Sequence, residues 1–149
     1  KELLDVEVSL DGEGKSEPEV AMDHLNILWS LNYTVDKFWG DGSFDTLDLF
    51  NLLEKHGTES DIPPRDNASK NANGSMRRAR EVCEYQTQAW DDWARSKQYG
   101  KRWLGTEGIF SAVKGIFGED TKAKTAETAC LEAKRKFWAY DRIQKYGRT

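Results

Sequence analysis

The sequence predicts an all-α fold, and three observations support this prediction. Apolar residues recur at steps of three and four along several segments. Ser, Thr or Asp stands where these segments begin, and Gly stands where most of them end. Alternation typical of a strand is confined to the first ten residues, KELLDVEVSL, which we expect to form a short strand or a tail.

A chain of 149 residues with 38% hydrophobic content is long enough to bury one core. We therefore expect a single domain over residues 1–149, built as a bundle of about five helices. The first helix begins at Ser16, because Ser16 and Glu19 have the spacing of a capping box and Pro18 falls in the first turn. We expect it to continue to Tyr33 or Phe38.

Four further helices are predicted from caps and glycine stops. Asp45 is the expected cap of the second helix, and Gly57 is its expected stop. Ser75 is the expected cap of the third. The predicted segments are residues 45–57, 75–100, 105–118 and 120–147.

Charge is distributed unevenly along the chain. Residues 1–66 contain five Lys and Arg against sixteen Asp and Glu, whereas residues 67–149 contain seventeen against ten. Residues 58–75 are polar and rich in Pro, Asn, Ser and Gly, so we expect an exposed flexible loop that separates the acidic part from the basic part. Either the acidic part covers the basic part within the fold, or one sign of charge is presented to a partner. The net charge of −4 does not favour nucleic acid as that partner.

The chain has two cysteines, Cys83 and Cys130. Each falls on the expected buried side of a long helix, which predicts a Cys83–Cys130 disulfide. Both cysteines lie nearer the start than the end of their predicted helices. Because the Cα atoms of a disulfide lie within about 7 Å, the bond would require the two helices to run parallel. Closing a loop of this length would contribute about 4 kcal/mol in the chain-entropy description. The alternative is two free thiols that pack as small apolar groups.

Three Asn-X-Ser/Thr triplets begin at Asn32, Asn67 and Asn73. The last two lie in the polar segment 58–75, where a glycosylating enzyme would reach them. Together with the predicted disulfide, these triplets indicate a secreted, extracellular glycoprotein. No run of 18 apolar residues is present to span a bilayer.

Residues 40–50, GDGSFDTLDLF, resemble the closing half of an EF-hand or dockerin calcium loop. With Gly42 at the sixth loop position, Asp48 stands at the twelfth, where a ligand is required. Lys37 and Trp39 then occupy the first and third positions and supply no ligand oxygen. We therefore interpret residues 40–42 as a turn and predict no metal, with a calcium-binding module kept as an alternative.

The sequence offers little material for catalysis. His24 and His56 lie on different predicted helices, and no nucleophile motif, phosphate loop or metal-ligand spacing accompanies them. We therefore predict no catalytic residues and no cofactor. By elimination, the function predicted is binding.

Two surfaces are candidates for that binding. The segment Gly108–Gly118, GIFSAVKGIFG, is similar to short membrane-active helices, but we favour a short buried helix whose glycines permit close packing. Basic and aromatic residues near the C-terminal end favour a protein or cell-surface partner, because Arg and aromatic side chains dominate interfaces. The expected contact residues are Lys101, Arg102, Trp103, Phe137 and Trp138.

These observations predict a secreted, non-catalytic interaction protein of the effector or toxin type. A membrane-active toxin that uses Gly108–Gly118 is the first alternative, and a calcium-binding module is the second. A membrane is therefore a candidate target beside the macromolecular partner.

Overall fold

The computed structural model describes residues 2–10 and 12–147, without the side chains of Trp103 and Leu104. This part of the chain is mostly helical and contains a small two-stranded parallel sheet, so the predicted helical class is correct in broad terms. The strands are β1 (Lys37–Trp39) and β2 (Glu59–Asp61). The helices are α1 (Glu17–Ser30), α2 (Leu47–Lys55), α3 (Met76–Gln86), α4 (Trp90–Ser96), α5 (Lys101–Gly105), α6 (Glu107–Phe117) and α7 (Ala126–Tyr146).

The chain divides into two compact units. Unit 1 comprises Lys1–Lys15 and Trp103–Thr149, and unit 2 comprises Ser16–Arg102. Neither boundary lies in residues 58–75, where we expected the acidic and basic parts to separate. Each unit therefore contains acidic residues from the first part of the sequence and basic residues from the second.

Helix α1 begins as predicted but ends early. The backbone N–H and the hydroxyl of Ser16 donate to a carboxylate oxygen of Glu19 at 2.8 and 2.6 Å, which confirms the capping box. The helix stops at Ser30, because Asn32 adopts a left-handed backbone with φ of 61°. Residues up to Phe38 are therefore not helical.

Helix α2 provides three of the five buried residues of the main apolar cluster in unit 2. Its cap is Thr46, whose hydroxyl accepts from the N–H of Leu49 at 3.4 Å, and not the predicted Asp45. Gly57 follows the helix with φ of 68°, as its predicted role as a stop requires. The buried apolar residues that pack together are Leu25, Leu49, Phe50, Leu53 and Ile62.

The parallel pair β1 and β2 was not predicted. Lys37 pairs with Glu59, Phe38 with Ser60 and Trp39 with Asp61. The prediction of an exposed loop over residues 58–75 is therefore wrong at its start, where residues 58 and 60–62 are buried. Its polar groups are buried because they find partners: the hydroxyl of Thr58, for example, donates to the carbonyl of Val35 at 2.8 Å.

The predicted third helix is two helices, α3 and α4, so the count of five is too low. The hydroxyl of Thr87 and the amide of Gln88 both donate to the carbonyl of Glu84, at 2.9 and 3.2 Å. Side chains that bond to the backbone in this way offer an alternative to continued helix. Helix α4 begins at Trp90 and contributes to an aromatic cluster. The cluster consists of Tyr85, Trp90, Trp93 and Tyr99.

In unit 1, the N-terminal segment lies along α7. The described residues 2–10 have no regular secondary structure, which favours the predicted tail over the predicted strand. Glu2 pairs with Lys145 at 2.7 Å and Glu7 pairs with Lys134 at 3.7 Å. The five residue steps from Glu2 to Glu7 span about 16 Å as an extended chain, and the eleven steps from Lys134 to Lys145 span about the same distance as an α-helix. The tail therefore runs antiparallel to α7, and the two ion pairs are equally spaced on both.

Helix α6 packs against α7, and Val113 is its buried residue. Within the described residues, no helix has both the length and the apolar character needed to cross a bilayer.

Candidate binding sites

The predicted contact surface is divided between the two units. Lys101 and Arg102 belong to unit 2, whereas Phe137 and Trp138 lie on α7 of unit 1. The side chain of Trp103 lies outside the described residues. The five residues are therefore not described as one site.

The two predicted cations of unit 2 have partners within that unit. The guanidinium of Arg102 lies 3.7 Å from the carboxylate of Asp41 and 5.2 Å from the ring centre of Tyr99. The ammonium of Lys101 donates to the side-chain oxygen of Gln98. Arg102 is only partly exposed, so its main contribution is to the packing of unit 2.

The two predicted aromatic residues of α7 have different roles. Phe137 packs edge-to-face against Phe110 of α6, with ring centres 5.0 Å apart. Trp138 is partly exposed and lies on another side of α7. Steps of four, three and four residues place Leu131, Arg135, Trp138 and Arg142 along that same side. We call these four residues the α7 stripe.

The basic residues of α7 differ in whether they already have partners. Lys134 and Lys145 pair with Glu7 and Glu2 of the tail. Lys136 donates to the carbonyls of Gly118 and Asp120 at 3.3 and 2.7 Å. Arg135 and Arg142 are exposed and form no hydrogen bond or ion pair with any residue that the structure describes. Two arginines with unused guanidinium groups therefore flank Trp138.

The membrane-like segment Gly108–Gly118 forms α6 and its C-terminal cap, Gly118. Its apolar side is only partly covered, because Phe110 and Ile116 are 52% and 53% exposed. Val113 lies between them on the helix and is buried. The segment therefore packs in the unit while leaving two large apolar side chains in solvent.

Two of the three acids of the calcium-like stretch, Asp41 and Asp45, already have protein partners, whereas Asp48 is exposed on α2. Asp41 caps a short 3-10 turn by accepting from the N–H and the hydroxyl of Ser43 at 2.9 and 2.5 Å. Asp45 is buried, and both of its oxygens accept from Arg78. No group of three or more His, Cys, Asp or Glu side chains in the described part of the chain is arranged to hold a metal.

The predicted Cys83–Cys130 disulfide is absent, and both cysteines are free thiols. Cys83 is exposed on α3, where Val82 and Glu81 are the buried residues, so its predicted orientation is wrong. Val82 takes the inward position because contacts with α2 set the buried side of α3. Cys130 is partly buried in α7.

All three predicted glycosylation asparagines are exposed. Asn32 lies in the turn after α1, where its backbone is left-handed. Asn67 and Asn73 lie in the irregular segment before α3. Each is therefore accessible to modification.

A network of charged side chains lies inside unit 2. The Lys97 ammonium lies 3.0 Å from Glu81 and 3.1 Å from Glu84. Burial opposes the charge of Lys97, but these hydrogen bonds raise its pKa above the ordinary value. The ammonium of Lys37 lies 2.9 Å from the carboxylate of Asp61 and forms an ion pair with it. Burial raises the pKa of Asp61 despite this pair.

An open cleft beside this network was not predicted from the sequence. It has a volume of about 600 Å³ and lies where the end of α1, the lead into β1 and the end of α2 meet. Trp29 and His56 stack in parallel in its wall, with ring centres 3.6 Å apart. No local motif marks it, because its wall combines residues that are far apart in the sequence. Its charged and aromatic lining residues are Trp29, Tyr33, Asp36, Lys37, His56 and Glu59.

No protein-family model, curated protein or solved structure matches this chain. The candidate sites are therefore interpreted from the residues of the chain itself. What these sites offer is recognition chemistry, namely unpaired guanidinium groups, exposed aromatic rings and an open cleft.

Proposed function

We propose that this chain is a non-catalytic interaction protein whose α7 stripe binds an acidic surface on a protein partner. The observation that supports this proposal is the pair of exposed arginines, Arg135 and Arg142, on either side of Trp138. Neither guanidinium has a partner among the described residues, whereas the lysines of the same helix do.

The residue types of the stripe suit a protein interface. Trp and Arg are the commonest residues at the energetic centre of interfaces, and a guanidinium can bind a carboxylate with two parallel hydrogen bonds. Leu131 adds a further apolar anchor and is 45% exposed. Anchors at these helical steps are typical of a helix that binds in a groove.

Secretion remains part of the proposal, together with a role of the effector or toxin type. It is supported by the exposure of Asn32, Asn67 and Asn73, and no longer by a disulfide. Intact mass of the protein from its native source, before and after glycosidase treatment, tests this part. A loss of glycan mass supports secretion, and a mass equal to that of the bare chain contradicts it.

The stripe is tested with two charge-reversal variants that change the net charge equally. The first is the double variant Arg135→Glu/Arg142→Glu. The control is the double variant Lys122→Glu/Lys124→Glu, which changes exposed residues before α7. Parent and variants are immobilised, incubated with nuclease-treated extracellular extract, and their bound proteins are quantified by mass spectrometry. The captured partner is then purified and its affinity measured by calorimetry.

We expect the parent and the lysine control to bind the same acidic protein with equal affinity. The arginine variant should bind it at least about a hundredfold more weakly, because two charge-assisted contacts become repulsions. Trp138→Ala should weaken binding without changing net charge. Equal capture of the partner by all variants would refute binding through the α7 stripe. Capture that occurs only without nuclease treatment would also refute it, because the partner would then depend on nucleic acid.

A second candidate function is membrane binding through α6, and the exposure of Phe110 and Ile116 favours it. An amphipathic helix with exposed apolar residues inserts at the boundary between headgroups and acyl chains. The test is dye release from anionic lipid vesicles by the parent and by Ile116→Asp. Release that the variant lacks supports this function, and vesicles that stay intact with the parent exclude it.

A further inference from the structure

We infer that the cleft of unit 2 is a binding site for an organic cation, specifically an ammonium group carried on an aromatic or apolar body. This site belongs to unit 2, whereas the α7 stripe belongs to unit 1, so the inference does not depend on the proposed function. It rests on the shape of the cleft, the charges of its wall and its aromatic rings.

The shape suits a small molecule. A volume of about 600 Å³ lies in the usual range for small-molecule sites, roughly 300–1,000 Å³. The wall is held in place by the parallel stack of Trp29 on His56 and by the N–H of Glu59, which donates to the carbonyl of Asp36 at 2.9 Å. A ligand would therefore meet rings and strands that are already ordered.

The charges of the wall favour a cation. The carboxylate of Asp36 is exposed and forms no hydrogen bond or ion pair with any described residue. Glu59 lies 3.4 Å from Lys37, whose ammonium also contacts Asp61 at 2.9 Å and the carbonyl of Lys97 at 3.4 Å. Because Lys37 has three contacts for its three donors, it has little capacity left for an anionic ligand.

The aromatic side chains supply the second part of the recognition. Tyr33 is 52% exposed and lines the same cleft as Asp36, so an aromatic ring and a free carboxylate both border it. Ring faces attract cations through their quadrupole, and an aromatic body gains contact area from the same rings. The two groups together distinguish an aromatic ammonium from a simple inorganic cation.

The test uses tyramine, which carries an ammonium on a phenol ring, and 4-ethylphenol, which lacks the charge. Binding of each probe is measured by calorimetry on the full chain, and ¹⁵N-resolved NMR shifts locate it. We expect tyramine to bind at least about tenfold more tightly than 4-ethylphenol, with shifts around Trp29 and Tyr33. Asp36→Asn should remove most of this difference, and Tyr33→Ala should weaken tyramine binding.

The control is Asp48→Asn, which neutralises an exposed carboxylate of α2 outside the cleft and should bind tyramine as the parent does. Asp36 is exposed, so its variant is expected to fold, and circular dichroism checks this. The inference is overturned if tyramine does not bind at millimolar concentration, if both probes bind equally, or if Asp36→Asn retains the affinity of the parent. None of these outcomes bears on the α7 stripe, which is tested with other variants.

Discussion

The carboxylate of Asp45 receives two hydrogen bonds from the guanidinium of Arg78, from Nε to Oδ1 at 2.5 Å and from Nη2 to Oδ2 at 2.8 Å. The backbone N–H of Arg65 donates to Oδ2 as well, at 2.9 Å. The Asp45 side chain is fully buried, and that of Arg78 is 13% exposed. This pair joins the start of α2 to α3 across 33 residues of sequence.

Removal of the guanidinium should destabilise the protein strongly. Arg78→Ala leaves the Asp45 carboxylate buried with one backbone donor, and an uncompensated buried charge costs about 3–5 kcal/mol. The free energy of unfolding, measured with urea, should fall by this amount. Arg95→Ala is the control, because the Arg95–Asp92 pair is exposed and should contribute less than about 1 kcal/mol. Equal effects of the two substitutions would contradict the assigned role of Asp45.

Gly40 should not tolerate a side chain. A Cβ at this position would lie 2.9 Å from the ring of Phe44 and 3.0 Å from that of Phe38, two rings that pack edge-to-face. Gly40→Ala should therefore lower the free energy of unfolding by about 1–3 kcal/mol through overpacking.

The neighbouring glycine is the matched control for Gly40. A Cβ on Gly42 would have its nearest contact with the carbonyl of Pro63 at 3.6 Å, which is an ordinary distance. If Gly40→Ala unfolds at the same urea concentration as Gly42→Ala, crowding by the two rings does not explain why residue 40 is a glycine.

The predictions from sequence that succeed are local. The capping box of Ser16 with Glu19, the cap at Ser75 and the left-handed stop at Gly57 each depend on residues within a few positions of one another. The parallel pairing of β1 with β2 joins residues about twenty positions apart, and neither strand is long enough to show a period.

The candidate sites follow the same division. Sequence periodicity places Trp138 away from the side of α7 that carries Phe137, and the structure agrees that the two have different roles. The sequence cannot distinguish Arg135 and Arg142 from the lysines of α7. For Lys134 and Lys145 that distinction is made by Glu7 and Glu2, more than 120 positions away in the chain. For Lys136 it is made by backbone carbonyls 16 and 18 positions away.

The ionisation of Asp61 should make stability depend on pH. Burial raises the pKa of Asp61, so the folded protein binds a proton there more tightly than the unfolded chain does. The stabilisation from that proton is fully present below the unfolded pKa of about 3.9 and is lost as pH rises through the folded pKa.

Asp61→Asn removes this titration. Its free energy of unfolding relative to the parent should therefore rise from about pH 4 toward neutrality and then level off. Urea unfolding at several pH values measures the difference, and Asp48→Asn serves as the exposed control. A difference that is constant with pH would show that the Asp61 pKa is not raised.

The free thiols should react without reductant. In denaturant, the chain should take up two equivalents of iodoacetamide, because both cysteines are reduced. In the folded protein, Cys83 should react faster than Cys130, since Cys83 is exposed and Cys130 is partly buried. Cys83→Ser should remove the fast phase, as followed by intact mass. A chain that takes up no label until it is reduced would instead contain the Cys83–Cys130 disulfide, and the absence of that bond from the structure would be contradicted.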